Sequence, residues 1–273
     1  MAPSDQAALT RLYASVDELD RGLGGMRPFG ECSGRDQWPL RGLYFFFEPR
    51  EYREDNRHKL RVVRVGTHAV SANSRSTLWD RLKTHKGNAA GGGNHRSSIF
   101  RQHAGFALIA SGRLGFNCPT WGVGMVKPNP TALCEDRIER VVSDYLRTMS
   151  VLWIAVDDQP GPQSDRAFLE RNIIALLAHQ NLQKTSGNWL GNSSPNEHIR
   201  SSRLWNVDHV KRRFDERALN VFEDYVDLAV QGRPPPAYSL APLGWARWEG
   251  AELPFEDIIS PSPGSSPLRQ IRT

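Results

Sequence analysis

A chain of 273 residues is long enough for one large domain or two small ones, and 39% hydrophobic against 24% charged residues is an ordinary soluble composition. No apolar run approaches the roughly 20 residues needed to cross a bilayer. The opening residues Met1 to Gln6 lack a basic-then-apolar signal sequence, and three scattered cysteines (Cys32, Cys118, Cys134) disfavour a disulfide scaffold or zinc ribbon and suit a reducing cytosol. The net charge is only +5, but residues 41–115 hold fourteen Lys/Arg against five Asp/Glu, so the other 198 residues sum to minus four. A surplus concentrated in this way is either the footprint of a polyanion partner or a solvated basic face.

In chain order, residues 5–21 carry Ala8, Leu9, Leu12, Val16 and Leu19 at helical spacing and end at Gly22 to Gly25. A Pro/Gly-rich lead-in, 26–40, precedes the aromatic run Gly42-Leu43-Tyr44-Phe45-Phe46-Phe47, whose continuous apolarity predicts a central strand. The spacer 48–60 is too charged to be buried on this reading. Residues 61–66, Arg-Val-Val-Arg-Val-Gly, predict a second strand, and the two runs a hairpin. Ser76-Thr77 then caps a helix to residue 86, which places Leu78, Arg81, Leu82 and His85 on one face. The run Gly91-Gly92-Gly93 predicts a loop that is mobile or close to a ligand. Residues 96–111 read as helical and carry Arg96, Arg101 and His103. A Gly/Pro-rich loop fills 112–130, helix 133–149 follows, and Val151 to Val156 predicts a strand.

Ser164 caps a helix to about His179, on which Glu170 shares a stripe with Ile173, Ile174 and Leu177. A carboxylate there needs a partner, and a bound cation would supply one. After the polar stretch 181–202, Arg203 to Val207 forms a short apolar island and 208–230 reads as helical. From Gly232 the chain is Pro-, Ser- and Gly-rich; Trp245 and Trp248 are candidates to dock part of it, and the last dozen residues read as disordered. The expected divisions are 1–40 as helix and lead-in, 41–206 as the core domain with an insertion near 88–130, 207–231 as a C-terminal helix, and 232–273 as a tail.

Gly42-Leu43-Tyr44 and Arg64-Val65-Gly66 resemble the two halves of the GIY-YIG nuclease signature, and Arg81-x-x-x-His85 resembles the Arg and His of that family's first helix. Glu170, on a helix directly after a strand, resembles its metal-binding glutamate, and Leu204-Trp205-Asn206 resembles the asparagine of its restriction-type members, though Asn181 lies closer to the spacing some members show. Arg64 stands where a second tyrosine is usual, as a basic residue does in some restriction-type members. The resemblance implies an α/β (α+β) fold: a GIY-YIG core with a small, mostly antiparallel three-stranded sheet flanked by helices, and N- and C-terminal extensions.

It also implies a cytoplasmic, Mg²⁺-dependent endonuclease acting on DNA, of restriction or defence type, with Mn²⁺ as a substitute ion. The alternative is a nucleic-acid-binding module of the same fold that has lost catalysis. In the catalytic reading Tyr44 is the base that activates water, helped by the Arg64 cation because a free tyrosine, with a pKa near 10, is a poor base at neutral pH. Arg81 would hold a phosphate oxygen. His85 would share in water activation or bind the phosphate. Glu170 would hold Mg²⁺, and Asn206 would position phosphate or metal-bound water. Arg75, Lys83, Lys86, Arg96 and Arg101 are the expected DNA-backbone contacts. The structural alternatives are a core aromatic at Tyr44, a surface arginine at Arg81, a satisfied helix histidine at His85 and an ordinary charged residue at Glu170. His68 and His95 read as polar surface, and Trp189 and Trp205 as packing residues. With one site per chain, cutting both strands would take a homodimer or two successive events.

Overall fold

Apolar spacing of three and four folds Pro3–Gly22 (α1) into a helix whose buried face is Leu9, Leu12, Val16 and Leu19. The computed structural model describes residues 3–124, 132–179, 182–243 and 245. After the two-residue strand Arg27–Pro28 (β1), the aromatic run forms Gly42–Tyr52 (β2) and the branched run Leu60–Gly66 (β3), paired antiparallel. Helix Leu78–Lys86 (α2) starts at Thr77, which makes a reciprocal capping box with Asp80. Ile99–Ala110 (α3) and Ala132–Arg147 (α4) follow, then Ser150–Ala155 (β4), Asp165–Ala178 (α5), the short Glu197–Ser202 (α6) and Arg217–Val230 (α7).

The sheet is antiparallel throughout, in the order β1-β4-β2-β3. Four strands stand where three were expected; a two-residue edge strand containing proline leaves no periodic signal. The central place of β2 explains its apolar run, because both of its faces are covered. Leu43, Phe45 and Phe47 pack with α1, α5 and α7, while Tyr44 and Phe46 pack with α2, α3 and α4.

The charged spacer is not solvent-exposed, contrary to expectation, for β2 continues through it and Glu48, Glu51 and Arg53 are buried. Each has a partner, which offsets part of the desolvation cost. Glu48 accepts from Tyr145 Oη at 2.8 Å and from Trp189 Nε1 at 3.0 Å. Glu51 pairs with Arg61 at 2.8 Å, and Arg53 with Asp17 at 2.8 Å.

The free edge of β3 is covered by the apolar island. Trp205 N–H donates to Val63 O at 2.7 Å, and the Asn206 amide brackets Val65, accepting from its N–H at 3.1 Å and donating to its carbonyl at 2.8 Å. The last helix begins at Arg217, not near 208, because 208–216 folds as turns. Trp245 docks against Phe168, with ring centroids 5.1 Å apart. Asn181, Trp248 and the last dozen residues lie outside the described residues. Cys118 and Cys134 form a disulfide with Cα atoms 5.6 Å apart, a single crosslink that the scattered spacing did not reveal. Cys32 is a buried free thiol.

Candidate active site

A single extra residue in β3 places the cation of the site. Phe47 faces Val62 but Phe46 faces Arg64, so Val63 is a bulge between them. Strict alternation would put Arg64 on the same face as Val62; the bulge turns it to the face of Tyr44 and Phe46. At the end of the strand, Gly66 lies opposite Tyr44. A Cβ there would stand 2.2 Å from Tyr44 Oη, so only glycine lets the phenol lie across this position.

Tyr44, Arg64, Arg81, His85 and Glu170 are brought together. Tyr44 Oη lies 2.9 Å from His85 Nε2, and both side chains are fully buried. Arg64 is 5% exposed, sits 4.8 Å over the Phe100 ring and donates to Trp205 O at 2.5 Å, while its Nε has no hydrogen-bond partner. Burial works against the Arg64 charge, and the nearby Tyr44 hydroxyl and Glu170 carboxylate support it. Arg81 is half-buried and its Nε is also without a partner. Its charge is felt by Arg64, His85, His68 and Glu170.

Glu170 comes from α5 on the other face and reaches the end of β3, where Oε1 accepts from Thr67 N–H at 3.1 Å. Thr67 is in turn fixed by its hydroxyl, which donates to Gly42 O at 2.8 Å. Burial raises the Glu170 carboxyl to about 7; Arg64, the Thr67 amide and Arg81 oppose that rise, and Asp208 adds to it. Burial followed by the charges of Arg64, Arg81 and Arg101 holds His85 well below its ordinary value, so its imidazole is neutral.

The Asn206 amide is committed to Val65, so it fixes the edge of β3 beside Arg64. Among the expected DNA contacts, Arg75 is exposed without an ion pair among the described residues. Lys83 is exposed and pairs with Asp80 at 2.7 Å, and Lys86 is half-buried and donates to Cys32 O. Two others belong to the interior instead. Arg96 is held by both oxygens of Glu135 at 2.8 and 2.9 Å. Arg101 is fully buried and bound by Glu139, Ser143 and the His85 carbonyl. The same guanidinium explains the glycine loop, since a Cβ on Gly93 would stand 2.2 Å from it. His68 and His95 are likewise buried, not surface residues.

Four participants carried no sequence signal. Thr67 supplies a backbone amide, which any residue but proline could do. Ser98 touches His85 from thirteen positions away. His103, brought by α3 to within the field of Arg64, is lowered to about 4 by burial and that charge. Asp208, exposed on the turn after Asn206, adds its negative charge to the field at Glu170.

A family model described as the GIY-YIG domain matches residues 3–231, from α1 through α7. No curated protein and no solved structure matches the chain. No helix among the described residues is long and apolar enough to cross a membrane. On a match that spans most of its length, the chain belongs to the GIY-YIG nuclease superfamily.

Proposed function

We propose that this protein is a Mg²⁺-dependent endonuclease that hydrolyses DNA phosphodiester bonds, of restriction or defence type. The observation that carries the reading is the set of two arginines, one carboxylate and a tyrosine–histidine pair around the end of β3, with Arg64 and Arg81 left without a carboxylate ion pair among the described residues. Arginines that are buried or half-buried and not neutralised by carboxylates hold a positive field where a phosphodiester can supply the missing charge.

In this reading Tyr44 Oη takes the proton of the attacking water. For this the phenol proton must first leave to solvent; Arg64 and the imidazole 2.9 Å away then face the charge left on Oη. Arg81, the half-exposed arginine, holds a non-bridging phosphate oxygen and stabilises the charge that grows there. His85 is fully buried, so its role is on Tyr44 and not on the phosphate. Because Tyr44 is enclosed in the free protein, substrate engagement must open the site to water, which makes that step a gate on turnover.

Glu170 is a fitting ligand for Mg²⁺ or Mn²⁺. It is a hard oxygen donor, Oε1 is oriented by Thr67, Oε2 carries no hydrogen bond among the described residues, and burial makes a cation there favourable. Bound at Glu170, such an ion would act as a Lewis acid on the phosphate. The described residues include no group of three His, Cys, Asp or Glu that could hold an ion alone, so waters and substrate oxygens would complete the shell.

Supercoiled plasmid incubated with and without Mg²⁺ is the test, with Glu170→Ala as the control. Mg²⁺-dependent nicking or linearisation that the substitution abolishes is expected. Tight, salt-sensitive binding without cleavage of any DNA would instead identify a binding module that has lost catalysis.

A further inference from the structure

The apolar island does more than cover the free edge of β3. It runs along that edge in the direction of the strand, with Trp205 N–H bonded to Val63 O and the Asn206 amide bonded to the N–H and carbonyl of Val65. The next amide bonded on this edge is Thr67 N–H, two residues or about 7 Å further on. That amide holds Glu170 Oε1 at 3.1 Å. The island continues the same way through Val207 to Asp208. Register along β3 therefore carries a second carboxylate toward the first, from a different element, and the charge of Asp208 acts on Glu170 accordingly.

Neither carboxylate is fully satisfied by the fold. Among the described residues Glu170 Oε2 has no hydrogen bond, and Asp208 is exposed with neither a hydrogen bond nor an ion pair at its carboxylate. Two like charges close together repel, and a cation that meets both relieves the repulsion. The formal charges agree. Arg64 and Arg81 both act on Glu170, and two arginines against one carboxylate leave a positive site that opposes a cation. Asp208 brings that sum to zero before an ion arrives. We infer that Asp208 is the second carboxylate of the cation site, so that Mg²⁺ or Mn²⁺ is held between α5 and the segment after Asn206, not by Glu170 alone.

The assignment gives Asn206 a task as well. Bonded on both sides of Val65, it fixes the start of the segment that carries Asp208, which makes it a positioning residue for the site. Two carboxylates still leave most of the shell of a hard cation to water and phosphate oxygens, as a site that must admit substrate requires.

The inference rests on the metal-dependent reading proposed above, but binding tests it without cleavage. Mn²⁺ is titrated into the metal-free, full-length protein in the absence of DNA, and the free ion is read by electron paramagnetic resonance. Asp208→Asn is expected to bind about tenfold more weakly than wild type, and Asp208→Glu, which keeps the carboxylate, to recover part of the loss. The loss should persist in high KCl, where a charge that acts only from a distance is screened. Because Asp208 is exposed and unpaired, Asp208→Asn should melt like wild type without metal, which separates loss of a ligand from loss of the fold. Equal Mn²⁺ affinity in wild type and Asp208→Asn overturns the inference. So does a difference that vanishes in high salt, or a wild type that binds no Mn²⁺ at millimolar concentration. If only Glu170→Gln loses Mn²⁺ while wild type still cuts DNA, the nuclease reading survives with a single carboxylate. If binding needs both carboxylates in a protein that cuts no DNA, the nuclease reading fails and the assignment of Asp208 stands.

Discussion

Arg61 and Arg64 lie three residues apart on one strand, both buried, in opposite electrostatic surroundings. Arg61 is fully enclosed by its partners: Nε donates to Glu51 at 2.9 Å, Nη1 to Arg203 O at 2.7 Å, and the guanidinium lies 5.0 Å from the centre of the Trp189 ring. Arg64 has a carbonyl, the Phe100 ring and a tyrosine hydroxyl nearby, but no carboxylate ion pair. The fold neutralises the first arginine and leaves the second positive. A buried arginine with its own carboxylate is part of the structure, whereas one without is held ready for a charge that arrives from outside. Arg101, fixed to Glu139, belongs with Arg61; Arg81 belongs with Arg64.

The contrast is sharpest in what removal should do. Arg61→Met strands the Glu51 carboxylate in the interior, so a loss of about 3–5 kcal/mol of unfolding free energy is expected, with cleavage per folded molecule unchanged. Arg101→Met should lose stability alike through Glu139, but it also frees the His85 carbonyl, so its cleavage should not stay unchanged. Urea melts beside active-site-normalised rates measure both quantities. Arg64→Met strands no carboxylate ion pair. Its unfolding free energy should hold or rise, while cleavage falls about 10²–10³-fold, as when a preorganised charge is removed from a transition state. If Arg64→Met unfolds the chain and Arg61→Met abolishes cleavage, the distinction drawn between the two is wrong.

That distinction was only half legible in the sequence. The order Tyr44, Arg64, Arg81, His85, Glu170 and the elements that carry them follow from apolar periodicity and from the resemblance, because strands and helices announce themselves through local patterns. What could not be read was which charges had partners. Glu48 finds Trp189 and Trp205 across well over a hundred residues, and Arg101 finds Glu139 on a different helix. Long-range pairing of this kind leaves no periodic trace, so Arg101 and Arg96 looked like surface cations and Glu48 and Glu51 like spacer. The bulge at Val63 is similar, since its strand reads as regular from sequence and only its pairing with β2 shows the extra residue.

Glu170 tests the comparison from the acidic side. Its folded value, about 7, lies above the unfolded 4.5, so the folded state binds the extra proton between those values. Its contribution to stability is complete below about 4.5 and is lost as pH rises through 7. Relative to wild type, Glu170→Gln should therefore be more stable at pH 8 than at pH 5, by on the order of 2 kcal/mol after allowance for partial exposure. Saturating Mg²⁺ should restore part of the difference to the wild type alone. Equal melts of the two proteins across this range would mean that Glu170 is already compensated within the fold, as Glu51 is.

The smallest effect separates two arginines that the sequence grouped together. Arg75 is exposed, with no ion pair among the described residues, whereas Arg96 is held by both oxygens of Glu135. If the site attracts DNA through charges that the fold leaves unpaired, only Arg75 can release a counterion on binding. Each phosphate contact contributes about −0.9 to the slope of log K against log salt. Arg75→Ala should therefore flatten that slope by about one unit at most, uniformly across DNA sequences, when binding is measured on a Glu170→Gln background that does not cut. Arg96→Ala should leave the slope alone and lower stability instead, because it strands Glu135, which is 1% exposed. A slope that responds to Arg96 and not to Arg75 would place the DNA path over the α3–α4 face, and the rule that pairing separates structural from functional arginines would fail where it is easiest to test.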